Sequence, residues 1–191
     1  MSTQFFETIK CFEGEVFHLH YHKKRIASTI GQNINLEEYI YPPDDSYLRC
    51  KVIYDYNGIE SIDYYPYTPK NTQSFQVINN DSLIYNKKFL DRSVLDRIFE
   101  LKNGADDIII CKNGLLSDTS IANIACKING NWYTPKTPLL YGTTRKRYLD
   151  NGILQEKDIS IEQIDAIEEF ALLNAMIDFK KIKNFRILIK D

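Results

Sequence analysis

Asparagine followed by glycine punctuates this chain at 57–58, 103–104, 113–114, 129–130 and 151–152, and that recurrence limits the fold more than any other feature. A type I′ turn needs positive φ at both central residues, which Asn and Gly adopt at little cost, so Asn-Gly between apolar alternations signals a hairpin. At 57–58 it separates two β-rich runs, Leu48 to Tyr54 and Ile59 to Tyr65. Asn113-Gly114 divides a strand over Asp107–Lys112 from an apolar stretch that starts at Leu115, and Asn129-Gly130-Asn131 divides that stretch from Trp132-Tyr133-Thr134. The remaining two close helices. Leu90, Val94, Ile98 and Leu101 line one helical face before Asn103-Gly104, and Arg145 to Asn151 reads as a helix ending at Gly152. Hairpins and helices therefore alternate in both halves, and the expected class is α+β.

The rest of the chain fits that class. Phe5 to Leu19 alternates as two strands around Glu13-Gly14; from His22 the apolar spacing becomes helical through Ile26 and Ile30, ending at Gly31. Asn35 is placed to cap a short helix through Leu36 and Ile40, stopped by Pro42-Pro43, and Ser82 to Tyr85 is strand-like. Ile161, Ile164 and Ile167 suggest another short helix, and Phe170 to Leu173 a buried strand. The proline-containing stretch PYTPKNT (66–72) is the expected linker between an N-terminal subdomain, 1–70, and a C-terminal one, 71–191. A formal charge of −2 argues against nucleic acid as a partner, and no apolar run approaches the length of a membrane span. The start of the chain lacks the basic and apolar regions of a signal peptide, and cysteines 11, 50, 111 and 126 form no Cys-x-x-Cys. Reduced thiols and a cytoplasmic location are expected.

Four polar groupings interrupt the apolar pattern: Lys87-Lys88, the run Ser117-Asp118-Thr119-Ser120 with Asn123, the turn Tyr141-Gly142-Thr143-Thr144-Arg145, and His22-Lys23-Lys24-Arg25. A helix start such as that at 142–145 offers unpaired N–H groups and a positive dipole end, hence an anion site. His18, His20 and His22 would share a face if they lay in a strand, and three imidazoles there could hold zinc. Helix onset near His22 breaks that alignment, so no metal is expected.

Together and in this order the segments resemble the class IV aminotransferases, pyridoxal-phosphate (PLP) enzymes of fold type IV. The resemblance rests on KKFLDRSVLDR (87–97), LSDTSIANIACKINGNWYTP (116–135) and LLYGTTRKRYL (139–149), supported by FFETIKCFEGEVFHLHYHKKRIAST (5–29) and FALLNAM (170–176). It implies a fold like that of D-amino-acid aminotransferase, with two small α/β subdomains, the cofactor between them, and the cofactor lysine on the C-terminal one. Lys88, followed three residues on by Asp91-Arg92, matches the lysine that takes the cofactor's aldehyde. Asp118 matches a family glutamate that pairs with the pyridine nitrogen, and Asn123 would hold that carboxylate or its loop. Gly142, Thr143 and Thr144 would seat the phosphate, with Arg25, at the family's His-x-x-Arg position, as a bidentate partner. Family members usually carry a further strand pair before Phe6-Glu7-Thr8-Ile9; this chain begins almost at that segment, a difference expected to open the site, change the substrate, or be compensated by the partner of the expected homodimer.

Fold-type IV members include branched-chain and D-amino-acid transaminases and the lyase that makes 4-aminobenzoate from 4-amino-4-deoxychorismate, and the shared fold does not choose among them. Thr8 stands where branched-chain transaminases commonly carry glycine and the lyases a proton-relaying threonine, and LLNAM (172–176) resembles the lyase ending. The resemblance thus favours the lyase, with Lys88 and Thr8 as catalytic residues; Lys10, two residues beyond Thr8, is either a holder of a substrate carboxylate or a solvated strand lysine. Transamination of an amino acid is the alternative, and a non-catalytic family member the third reading.

Overall fold

Phe5, Glu7, Ile9 and Cys11 alternate with residues of the opposite face, and this two-residue period makes Phe5–Phe12 a strand, β1, with one face fully buried. A turn with positive φ at Glu13 (52°) and Gly14 (73°) leads to the two-residue strand β2 (Glu15–Val16). Helix α1 (Leu19–Ile30), strand β3 (Leu48–Asp55) and strand β4 (Gly58–Pro66) follow. The sheet order is β2-β1-β3-β4, antiparallel throughout. In the computed structural model, which describes residues 3–189, this sheet and α1 form one unit through Lys70, joined by Lys87–Asp91. Its core is Phe5, Ile9 and Cys11 of β1, Cys50, Val52 and Tyr54 of β3, and Ile26 and Ile30 of α1. Each fully buried aliphatic or aromatic side chain contributes roughly 1.5–3 kcal/mol.

Three expectations change in this unit. α1 begins at Leu19, after a left-handed His18 (φ 56°), so His22 lies one turn inside the helix and is buried rather than standing at its start. The 57–58 turn is not type I′: Asp55 pairs with Gly58, and Asp55 accepts the Asn57 N–H at 2.7 Å, so a local side-chain turn replaces the double positive-φ one. Lys88 belongs to this unit and not to the C-terminal part of the chain. The Phe6 N–H donates to the Lys88 carbonyl at 2.9 Å, the Leu90 N–H donates to that of Gln4, and Phe89 bridges to Phe5.

The second unit comprises Asn71–Asn86 and the chain from Arg92 onward. Its strands are β5 (Ser74–Asn79), β6 (Asp107–Lys112), β7 (Leu115–Thr119), β8 (Asn123–Ile128), β9 (Asn131–Pro135), β10 (Gln155–Lys157), β11 (Glu169–Asn174), β12 (Asp178–Ile182) and β13 (Arg186–Leu188). They pair in the order β10-β9-β8-β7-β6-β5-β13, with β11 on β8 and β12 on β11. β5 runs parallel to β6, and a parallel pair needs a crossover, which contains helix α2 (Ser93–Phe99). Asn113-Gly114 (φ 50° and 76°) and Asn129-Gly130 (49° and 76°) take the paired positive φ that the hairpin reading requires. Helix α3 (Thr143–Asp150) lies over β8 and β11, where the paired Ala125 and Ala171 leave room for Tyr148 and Leu149.

Here too some expectations fail. The α2 face that packs is Leu95 and Ile98; Val94 and Leu101 are exposed, and Leu90 lies before the helix. Ser82 to Tyr85 forms no strand; the strand is Ser74–Asn79, which the sequence reading passed over because polar Ser74 and Gln76 face inward. α3 starts two residues before the expected Arg145.

Candidate active site

In the first unit the polar residues gather around β1. Lys88 lies beside the strand, and its Nζ stands 4.4 Å from the centroid of the Phe6 ring. Thr8, two residues on from Phe6, shares that face of the strand. Lys10 follows on the same face, with its Nζ 4.4 Å from the Phe17 ring and 5.3 Å from that of Tyr47. The opposite face carries a feature the sequence reading missed: Glu7, wholly buried between Phe5 and Ile9. Its Oε1 accepts from Arg25 Nε at 2.8 Å, and its Oε2 accepts from Arg25 Nη2 at 2.5 Å and from His22 Nδ1 at 2.6 Å. Burial alone would raise the Glu7 carboxyl, but the Arg25 charge and the bonds from His22 and Arg25 outweigh it and hold the pKa at about 2. Burial pushes the His22 ring below its ordinary value, against the pull of Glu7. Arg25 thus gives its Nε–Nη2 edge to Glu7. The signal for Glu7 was in the pattern: a carboxylate at an inward position of an alternating strand has to be paired.

In the second unit the SDTS run forms the end of β7 and its turn to β8. Asp118 and Asn123 are a directly paired couple across that turn. Asn123 Nδ2 donates to Asp118 Oδ1 at 2.8 Å and to the Leu140 carbonyl at 2.8 Å, while the Leu140 N–H donates to Asp118 Oδ2 at 2.8 Å. Burial raises the Asp118 pKa to about 6, against those hydrogen bonds and the Arg145 charge, which lower it. Among the described residues no cation forms an ion pair with it.

Gly142 caps α3, and a Cβ there would stand 1.9 Å from Asn123 Oδ1, so the site tolerates only glycine without rearrangement. Thr143 and Thr144 open the helix, both buried, in a first turn free of acidic residues. First-turn N–H groups have no acceptor within the helix, and the dipole there favours an anion. Arg145 points elsewhere, donating to the Pro135 carbonyl at 2.8 Å and to Glu156 at 2.6 Å.

The second unit therefore offers a buried acid without a counter-ion and an amide-lined helix start, and the first an amine above an aromatic ring. The profile of the amino-transferase class IV family matches residues 58–185. The chain belongs to that family. An uncharacterized Haemophilus influenzae protein is 33% identical over 183 residues, covering 90% of this chain and 96% of its own length. A Schizosaccharomyces pombe protein, provisionally described as an aminodeoxychorismate lyase, is 28% identical over 207 residues, covering 93% of this chain and 86% of its own. Among solved structures, a Haemophilus somnus protein provisionally described as a 4-amino-4-deoxychorismate lyase superposes with a TM-score of 0.79 at 28% identity, covering 92% of this chain and 97% of that one. Class IV aminotransferases are PLP-dependent enzymes of fold type IV, and this chain has their fold. The residues present fit the cofactor. A protonated heteroaromatic nitrogen suits the buried Asp118, which among the described residues has hydrogen bonds but no ion pair, and a phosphate dianion is what the start of α3 accommodates. Among the described residues no helix is long and apolar enough to cross a membrane.

Proposed function

We propose that the protein is a PLP-dependent 4-amino-4-deoxychorismate lyase, converting that substrate to 4-aminobenzoate and pyruvate. The observation that carries the reading is the placement of Thr8 and the Lys88 amine on one face of β1, one hydroxyl and one amine on the same side of the sheet. Two of the relatives above, provisionally described as such lyases, point the same way.

When bound, the cofactor supplies an electron sink for negative charge at the carbon bearing the substrate's amine. Lys88 would hold the cofactor's aldehyde, and its amine would take the proton from the carbon bearing the substrate's amine. Thr8 hands a proton to the departing enolpyruvyl oxygen. Asp118, ionised, would keep the pyridine nitrogen protonated; Asn123 and the Leu140 N–H fix the direction of its carboxylate. The N–H groups of Thr143 and Thr144, with the Thr144 hydroxyl, would hold the phosphate, and Gly142 lets the chain approach Asn123 closely. Any part Arg25 would take in holding the phosphate falls to the end of its guanidinium that Glu7 does not hold. A homodimer in the cytoplasm completes this reading.

The test is product formation. With PLP and 4-amino-4-deoxychorismate, and no keto acid, the wild type releases pyruvate and 4-aminobenzoate in equal amounts, and Lys88→Ala releases neither. A transaminase would instead consume an amino donor, leave the aminated cofactor, and require a keto acid to continue.

A further inference from the structure

The outer face of the first unit's sheet carries charge that its own pairing does not neutralise. Directly paired residues of neighbouring strands share a face, and the register sets Lys10 opposite Arg49 and Thr8 opposite Lys51. Like charges facing each other across a ladder are destabilising, so a sheet selected for stability alone would avoid the first pairing. Among the described residues, no carboxylate lies within ion-pair distance of Lys10, Arg49 or Lys51. Asp63 is set opposite Lys51 on β4, but it is exposed and makes no such pair. The cations lean on rings instead: Arg49 Cζ is 5.1 Å from the Tyr65 centroid, and Lys51 Nζ is 5.7 Å from that of Phe6. The Lys88 amine stands over the same Phe6 ring. Arg49 Nε is buried with no hydrogen-bond partner, an unmet donor of the kind that folded proteins rarely keep without use. Cation–π contacts orient these groups but leave their charge uncancelled.

We propose that Arg49 and Lys51 are specificity-determining residues that select a substrate with two carboxylates, pairing with them on the face that carries the Lys88 amine. The inference rests on the lyase reading and deepens it, because 4-amino-4-deoxychorismate carries a ring carboxylate and an enolpyruvyl carboxylate. A monocarboxylate meets only half of this arrangement and leaves cations facing each other.

Chorismate is the probe. It keeps both carboxylates and has a hydroxyl where the amine would be, so it binds without reacting. Its affinity for the PLP-loaded protein is measured by calorimetry beside that of benzoate, which has one carboxylate. Arg49→Gln and Lys51→Met each reduce the preference for chorismate over benzoate by roughly tenfold, the scale of one hydrogen bond to a charged group. Lys102→Met, which removes a cation stacked on Phe99 in the second unit, leaves the preference unchanged. In the wild type, which needs no variant to fold, chorismate affinity falls more steeply with added salt than benzoate affinity does. Absent chorismate binding, an unchanged preference in both variants, equal loss in Lys102→Met, or equal salt slopes would each overturn the inference. Product formation is scored separately. 4-Aminobenzoate made with an unchanged preference sinks this inference and spares the lyase reading; a lost preference without product does the reverse.

Discussion

Asp118 accepts two hydrogen bonds from its own unit, yet burial raises its carboxyl from an ordinary 3.8 to about 6. The sign of the consequence follows from linkage. A carboxyl with a folded-state pKa above its unfolded value binds its proton more tightly when folded, so its contribution is complete below pH 4 and is lost as pH rises through 6. At about 1.4 kcal/mol per pH unit, the cofactor-free protein loses about 3 kcal/mol on this account by neutral pH. Asp118→Asn does not titrate, so in urea unfolding its stability relative to the wild type rises by up to about that amount between pH 4 and pH 7; parallel profiles would contradict the assignment. With PLP the order reverses: the wild type binds more tightly as pH rises through 6, and the variant stays weak throughout. The Asp118–Asn123 pair was legible because an acid and an amide interrupt apolar strands. Glu7 was not recognised, since a strand glutamate usually faces water and its partners, His22 and Arg25, lie 15 and 18 residues further along the chain.

At the scale of elements, α3 and the β7–β8 turn act together through one close approach. Gly142 has an ordinary φ of −71°, so alanine there meets no backbone strain; the obstacle is the Asn123 side chain, whose Oδ1 and Cγ would lie 1.9 and 3.1 Å from the new Cβ. Gly142→Ala therefore lowers both the melting temperature and PLP affinity by displacing Asn123 from Asp118. Adding Asn123→Ala removes the clash, so the double variant is less impaired than the sum of the two singles, a coupling of about 0.5–3 kcal/mol in a double-mutant cycle. Strict additivity would show that the contact does not matter. The same elements mark how far local pattern reaches. Hairpins at 113–114 and 129–130 were readable because turn chemistry and alternation agreed. β5 was not, because Gln76 is buried and bonds the carbonyls of Val77 and Leu188, a use of glutamine that only its long-range neighbours explain. The α2 face was misjudged because apolar spacing does not say which apolar residues the surroundings will cover; Leu95 and Ile98 pack while Val94 and Leu101 stay exposed.

For the whole molecule, the order of motifs carried further than any single one. The family was readable from five segments that are each weak alone, and the α+β class from turns and periodicity. The placement of the Lys88 segment was not, because chain order puts it after the linker while its hydrogen bonds tie it to β1. That tie sets the amine over Phe6, and every proposed step begins from it. The central claim is that this amine, and not that of neighbouring Lys87, bonds the coenzyme. Lys87 Nζ donates to the Thr29 carbonyl of α1 at 2.8 Å and stands 5.4 Å from the Phe5 ring, on the opposite face of β1 from Phe6. Borohydride reduction of the PLP-loaded protein, followed by peptide mass mapping, reads the answer directly. One reduced pyridoxyl phosphate per chain, on Lys88, is the predicted result; a label on Lys87, labels scattered over surface lysines, or no label would contradict it.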